Sequence, residues 1–311
     1  MTSVAMLPSE ADAPHHAETV AQTDAAGPDA GAQWRDLGLI PARVLRLVGM
    51  RRSGNHAICN WLQRNAPQGR ALFLNNCRPG ANPLRSHNGI EVSGQPQGSS
   101  DLQAAARLAG DGALVLVSYE DTLHGRYNAA RPMSPPHGDA AFDCDLLIYR
   151  SFWNWSASLL KKLQANPDYR SGDRMAVAAR ALATYGDLLA EVQAAAETGR
   201  VAICYDRWCR DELYRARLLA DLGLPMTDNA LGPVQAYGGG SSFQKDADRA
   251  EDLASQDRWR QMLGDSEYQA LLRLAALDPV LRARIGAQFP EDAARLARIA
   301  ALPGFDAEDL T

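Results

Sequence analysis

The 311-residue sequence predicts an α/β chain, a parallel sheet with helices on both faces in three layers. Three observations predict it. Short continuous apolar runs recur at 43–49, 71–74, 114–117, 146–149 and 201–205, the pattern of strands covered on both sides. Stretches with helical spacing separate them, and that alternation calls for crossover connections and parallel pairing. The first run ends in Gly49-x-x-x-x-Gly54 and opens directly into a helix. Backbone N–H groups in such a turn, with the helix N-terminus behind them, converge on an anionic oxygen.

The elements follow in order. Residues 55–65 carry Ile58, Trp61 and Leu62 at helical spacing before Pro67 and Gly69 stop them. The segment 75–98, rich in Asn, Pro, Gly and Ser and holding His87, is expected to be a long loop. Ser100 is expected to cap an Ala-rich helix ending near Gly110. The run 114–117 leads into Ser118, Tyr119, Glu120 and Asp121 at a strand's carboxyl end, and 122–143, with its Pro and Gly clustered at 132–138, reads as a loop or lid. A strand at 146–149 delivers Arg150 to an aromatic helix at 153–163, and a longer helix covers 175–197. The strand at 201–205 feeds a helix at 211–222 closed by Gly223 and Pro225. From 247 on the chain reads as helical, without an internal repeat.

Composition bounds the function. Residues 1–34 hold five acids and no Lys or Arg among Ala, Gly, Pro, Ser and Thr, so they are expected to form a disordered acidic extension. Their charge of −5 accounts for the whole net charge of −5. The remaining body, 35–311, is formally neutral, which argues against a nucleic-acid partner. No secretory leader or stretch of roughly 20 apolar residues is visible, so a cytoplasmic protein without a membrane span is expected. Cys59, Cys77, Cys144, Cys204 and Cys209 are odd in number and scattered, suggesting neither a disulfide framework nor a metal site.

The Gly49–Gly54 spacing is that of a P-loop, but Asn55 and His56 stand where a nucleoside triphosphatase places Lys and Ser or Thr. Without that Lys on the phosphates and that hydroxyl on Mg²⁺, a metal-nucleotide hydrolase is disfavoured. Positive charge sits inside the loop instead, at Arg51 and Arg52.

Four separated places together resemble the sulfotransferase family that uses 3′-phosphoadenosine 5′-phosphosulfate. Arg52-Ser-Gly-Asn-His56 is similar to its 5′-phosphosulfate loop, with Asn55 and His56 in place of two Thr. Arg150 followed by Ser158 has the interval of its 3′-phosphate motif, with Ser151 and Phe152 in place of Asp and Pro. Val201 to Asp206, followed by a helix ending near Gly223, is similar to its strand, Tyr-acid pair and Leu-Gly helix. Gly238-Gly-Gly-Ser-Ser-Phe243 occupies the position of its late cofactor loop. The resemblance runs over 43–260 and implies a P-loop nucleotide-hydrolase-like sulfotransferase fold with no metal. It implies donor contacts from Gly49, Arg51, Arg52, Ser53, Gly54, Asn55 and His56 at the 5′ end. Arg150 and Ser158 would meet the 3′-phosphate, Tyr205 would lie beside adenine, and Gly239, Gly240 and Ser241 would either wrap a phosphate or form a flexible connection.

Sulfuryl transfer needs a base for the acceptor and positive charge on the leaving phosphate. Arg52 suits the second role. Glu120, just past a strand's carboxyl end where ligands gather in parallel sheets, is the first candidate for the base, and His124 is the second. His87 and His56 rank below them. The acceptor, a hydroxyl or amine of a carbohydrate, lipid or metabolite, would be chosen by the loops 75–98 and 122–143. The rival readings are a P-loop kinase or phosphotransferase and a non-catalytic nucleotide-binding module.

Overall fold

The computed structural model describes residues 34, 36–98, 101–232 and 257–302. Its centre is a seven-stranded, mostly parallel sheet. In chain order the strands are β1 (Arg43–Gly49), β2 (Ala71–Asn75), β3 (Gly89–Val92), β4 (Gln95–Pro96), β5 (Leu114–Glu120), β6 (Cys144–Tyr149) and β7 (Val201–Cys204), and they lie in the order β4-β3-β2-β5-β1-β6-β7. The five strands from β2 to β7 pair in parallel, whereas β3 and β4 add an antiparallel hairpin at one edge. The connection leaving β1 runs to one side, towards β2, and the connection leaving β6 runs to the other, towards β7. A crevice forms where connections diverge in this way.

Side chains alternate across β1 because successive residues of a strand face opposite sides. Leu45 and Leu47 join the core under α1 (Asn55–Arg64). Val44 and Val48 join the larger core, which also takes buried residues of α2 (Leu102–Ala109), α3 (Phe152–Gln164) and α4 (Ser171–Gln193). Two further helices, α5 (Tyr205–Arg210) and α6 (Glu212–Asp221), lie on the α1 side, with Trp208, Leu218 and Leu219 buried there. The C-terminal helices α7 (Ser266–Leu277), α8 (Pro279–Gln288) and α9 (Pro290–Ala301) pack on the α3 and α4 side, and Tyr268 Oη donates to the Trp153 carbonyl at 2.9 Å.

Several sequence expectations are corrected. The 75–98 segment is not one long loop: it holds a helical turn at Pro83–Ser86 and the β3–β4 hairpin, closed by Ser93 and Gly94 at φ 48° and 80°. Positive φ at both turn residues suits the twist of a two-residue hairpin, but strands of four and two residues are too short to show alternation. Asp101, not Ser100, caps α2, accepting from Ala104 N at 3.0 Å. Tyr205 opens α5 rather than ending β7. Trp34 belongs to the folded body and not to the acidic extension; it is 2 % exposed, donates to the Ala141 carbonyl and lies 4.7 Å from the His137 ring. Burying that indole contributes more than the polar residues before it can. Residues 1–33 and the late glycine run with Gly239, Gly240 and Ser241 lie outside the described residues.

Candidate active site

Strand register aligns the functional groups along one carboxyl edge. Gly49 at the end of β1 pairs with Glu120 at the end of β5 and with Ile148 of β6, two residues before Arg150. After Gly49 the chain turns tightly. Ser53 N donates to the Met50 carbonyl at 3.2 Å, and Arg52 and Gly54 adopt φ of 70° and 94°. No side chain caps the first turn of α1, so its leading N–H groups face the loop, as unpaired helix donors do. Gly54 is required twice over. Its φ lies in the left-handed region, and a Cβ there would fall 2.0 Å from Cδ2 of the Tyr205 ring.

Three guanidinium charges act on one another beside this turn. Arg150, 2 % exposed, donates to the Arg52 carbonyl at 3.3 Å, and its Cζ stands 5.1 Å from the Tyr205 ring centroid. Tyr185 Oη holds the Arg150 carbonyl at 2.7 Å. Arg258, 5 % exposed, has its pKa pushed down to about 10, first by burial and then by the charges of Arg150 and Arg52. Burial and Arg150 likewise push Arg52 down. Like charges crowded out of water are costly unless an anion joins them. Among the described residues, Asp206 lies 3.9 Å from Arg150 Nε, and the charge of Glu120 reaches Arg52. Ser53 and Ser158, the hydroxyls of the two motifs, are fully buried and neither Oγ has a hydrogen-bond partner. No family model, curated protein or solved structure matches the chain.

Glu120 stands at the lip of this crevice. Asn55 Nδ2 donates to its Oε1 at 3.0 Å and to the Met50 carbonyl at 3.2 Å, tying the carboxylate to the loop. Burial raises the Glu120 pKa above the ordinary carboxylate value; the Asn55 hydrogen bond opposes the shift and the Asp121 charge adds to it. A carboxylate poised this way accepts a proton more readily than a solvated one.

The other sequence candidates are distributed unevenly. Arg51 is committed to Asp121, which pairs with its side chain and accepts from its backbone N–H at 2.9 Å, while Trp155 Nε1 donates to the Arg51 carbonyl at 3.1 Å. Arg51 thus braces the loop. His56 is half-buried on α1, with its pKa lowered by burial. Tyr205 is buried with one face stacked on Trp208 at 5.8 Å. His87 follows the helical turn at Pro83–Ser86 and belongs to no cluster with Arg52. His124 is separate: its Nδ1 lies 3.6 Å from Asp145 Oδ2, and Asp145 is in register with Arg46, three residues before the end of β1.

Sequence reasoning missed Arg258 and Asp121. Arg258 sits in Arg258-Trp-Arg260, where nothing distinguishes it from exposed Arg260. Asp121 was visible only as the residue after Glu120. Among the described residues no group of three or more His, Cys, Asp or Glu is disposed to hold a metal, and no helix is long and apolar enough to cross a membrane.

Proposed function

We propose that the chain is a sulfotransferase that moves a sulfuryl group from 3′-phosphoadenosine 5′-phosphosulfate to a hydroxyl or amine. One observation carries the reading: Arg150 and Arg258, both buried, and the half-buried Arg52 repel one another beside an uncapped helix N-terminus at the carboxyl edge. Such a cluster fits a ligand with more than one anionic group. The two buried, unpartnered hydroxyls of Ser53 and Ser158 suit phosphate oxygens. The order β2-β5-β1-β6-β7 of the parallel strands supports the same reading, since it sets the loop after β1 at the crevice.

The donor supplies the sulfuryl group. Arg52 and the loop N–H groups offset the charge that grows on the leaving phosphate. Glu120, held by Asn55, takes the proton from the acceptor as the acceptor–sulfur bond forms and the bond to the phosphate oxygen breaks. Adenosine 3′,5′-bisphosphate leaves.

Thermal shift with adenosine 3′,5′-bisphosphate in the absence of Mg²⁺ tests the binding, and turnover with labelled donor against an acceptor panel tests the chemistry. Stabilisation with transfer is the expected result. Stabilisation by Mg·ATP alone would move the reading to a phosphotransferase. Binding of the bisphosphate without transfer to any acceptor would reduce it to a nucleotide-binding module.

A further inference from the structure

Tyr205 opens α5 directly after β7, and it stands where three segments of the crevice touch. A Cβ on Gly54 would fall 2.0, 2.3 and 2.7 Å from three consecutive atoms of its ring. Distances so short to three bonded neighbours place that Cβ over the ring, so the left-handed residue of the loop lies directly against it. The Arg150 guanidinium stands over the same ring with Cζ 5.1 Å from the centroid, within the range of a cation–π contact. Arg150 Nη1 closes the set by donating to the Arg52 carbonyl at 3.3 Å. One ring thus touches the loop after β1 and the guanidinium after β6, and those two touch each other.

The ring is itself held from behind. Trp208, fully buried three residues on, stacks on it at 5.8 Å and 19°, and Trp61 of α1 meets Trp208 edge-on at 5.8 Å and 75°. Trp61 lies on the helix that the loop feeds, so the support returns to the loop's own helix. These contacts leave Tyr205 only 8 % exposed. A base that stacks on an aromatic ring needs an open face, whereas a ring that aims other groups needs locked packing, because binding groups must be held to within about 0.5 Å by neighbours that cannot change rotamer.

We propose that Tyr205 is a positioning residue and not a platform for the base: its ring sets the distance and angle between the loop after β1 and Arg150, and with them the arrangement of anionic groups that the crevice accepts. This deepens the transferase reading, and it rests on that reading only for which anionic ligand is bound.

The test is calorimetric titration, without Mg²⁺, of the full chain and its Tyr205→Phe and Tyr205→Leu variants with two probes: inorganic pyrophosphate, which has no base, and adenosine 3′,5′-bisphosphate. Tyr205→Phe keeps the ring and should bind both probes as the wild type does. Tyr205→Leu keeps apolar bulk without the ring, and both probes should weaken by roughly tenfold, the effect of misaiming one charge-assisted hydrogen bond. A loss confined to the bisphosphate would make Tyr205 a base platform, and wild-type binding of both probes by a folded Tyr205→Leu variant would make the ring a bystander; either overturns the assignment. A second measurement needs no loss of packing. The Tyr205 ring signals in the NMR spectrum of the wild type, assigned with Tyr205→Phe, should shift saturably with pyrophosphate alone, and a ring that responds only to the nucleotide would overturn the assignment as well. Binding of pyrophosphate without the bisphosphate counts against the transferase reading alone, and a wild type that binds neither probe overturns both.

Discussion

Gly54→Ala tests the architecture of the crevice most directly. The substitution asks a residue with a Cβ to hold φ 94°, which costs roughly 1–2 kcal/mol. The new Cβ would also lie 2.0, 2.3 and 2.7 Å from three atoms of the Tyr205 ring. That ring cannot retreat freely, because Trp208 stacks on it and Arg150 stands over it. Overpacking of this kind costs roughly 1–3 kcal/mol, so a total loss of about 2–5 kcal/mol is expected in urea denaturation with an unchanged slope. The cycle with Tyr205→Ala separates the two parts. Without the ring, Gly54→Ala should cost only the backbone share of about 1–2 kcal/mol. An equal cost in both backgrounds would show that the ring does not enforce glycine, and a neutral Gly54→Ala would refute the left-handed requirement as well.

Four further outcomes are expected. Arg258→Met should make the free protein more stable, by up to about 3 kcal/mol for a pKa held near 10 against 12.5, while abolishing most of the stabilisation by adenosine 3′,5′-bisphosphate; loss of both would make Arg258 a structural residue. Glu120→Gln should lower turnover by roughly 10²–10⁴ with little change in donor affinity, whereas His124→Gln should leave turnover near wild type, and the reverse pattern would move the base to His124. Asp121→Asn should loosen the loop after β1, weakening bisphosphate binding by roughly 1 kcal/mol or more through Arg51; unchanged binding would detach Arg51 from loop geometry. Asp292 is 6 % exposed, and burial raises its pKa from 3.8 to about 6. Its native state therefore holds a proton that the unfolded state releases, and stability falls as pH rises from about 4 to 6, by roughly 3 kcal/mol for two units. Asp292→Asn should be close to neutral at pH 4 and stabilising above pH 6 in paired denaturation curves, and a loss that is the same at both pH values would contradict the shift.

The sequence by itself determined the strand and helix alternation, because doubly covered strands must be continuously apolar and crossover helices must show a period of 3.6. It also determined the Gly49–Gly54 turn, since glycine holds the left-handed backbone at Gly54 cheaply, and it marked Arg150 and Glu120 as strand-end residues, which a carboxyl edge collects. What it left open depends on contacts between segments far apart in the chain. Arg258 joins Arg52 and Arg150 across about two hundred and one hundred residues, and no local pattern separates it from Arg260. His124 and Glu120 are four apart in sequence, yet one lies beside Asp145 and the other beside Asn55, because the chain after β5 folds back over the sheet towards Arg46. The β3–β4 hairpin exists because Glu91, 4 % exposed, finds Gln63 of α1 at 2.7 Å and β2 offers an open edge. Local residue types set which backbone conformations are cheap. Which charges share a desolvated crevice, and which are paired away from it, was decided only when the sheet order brought distant strand ends together.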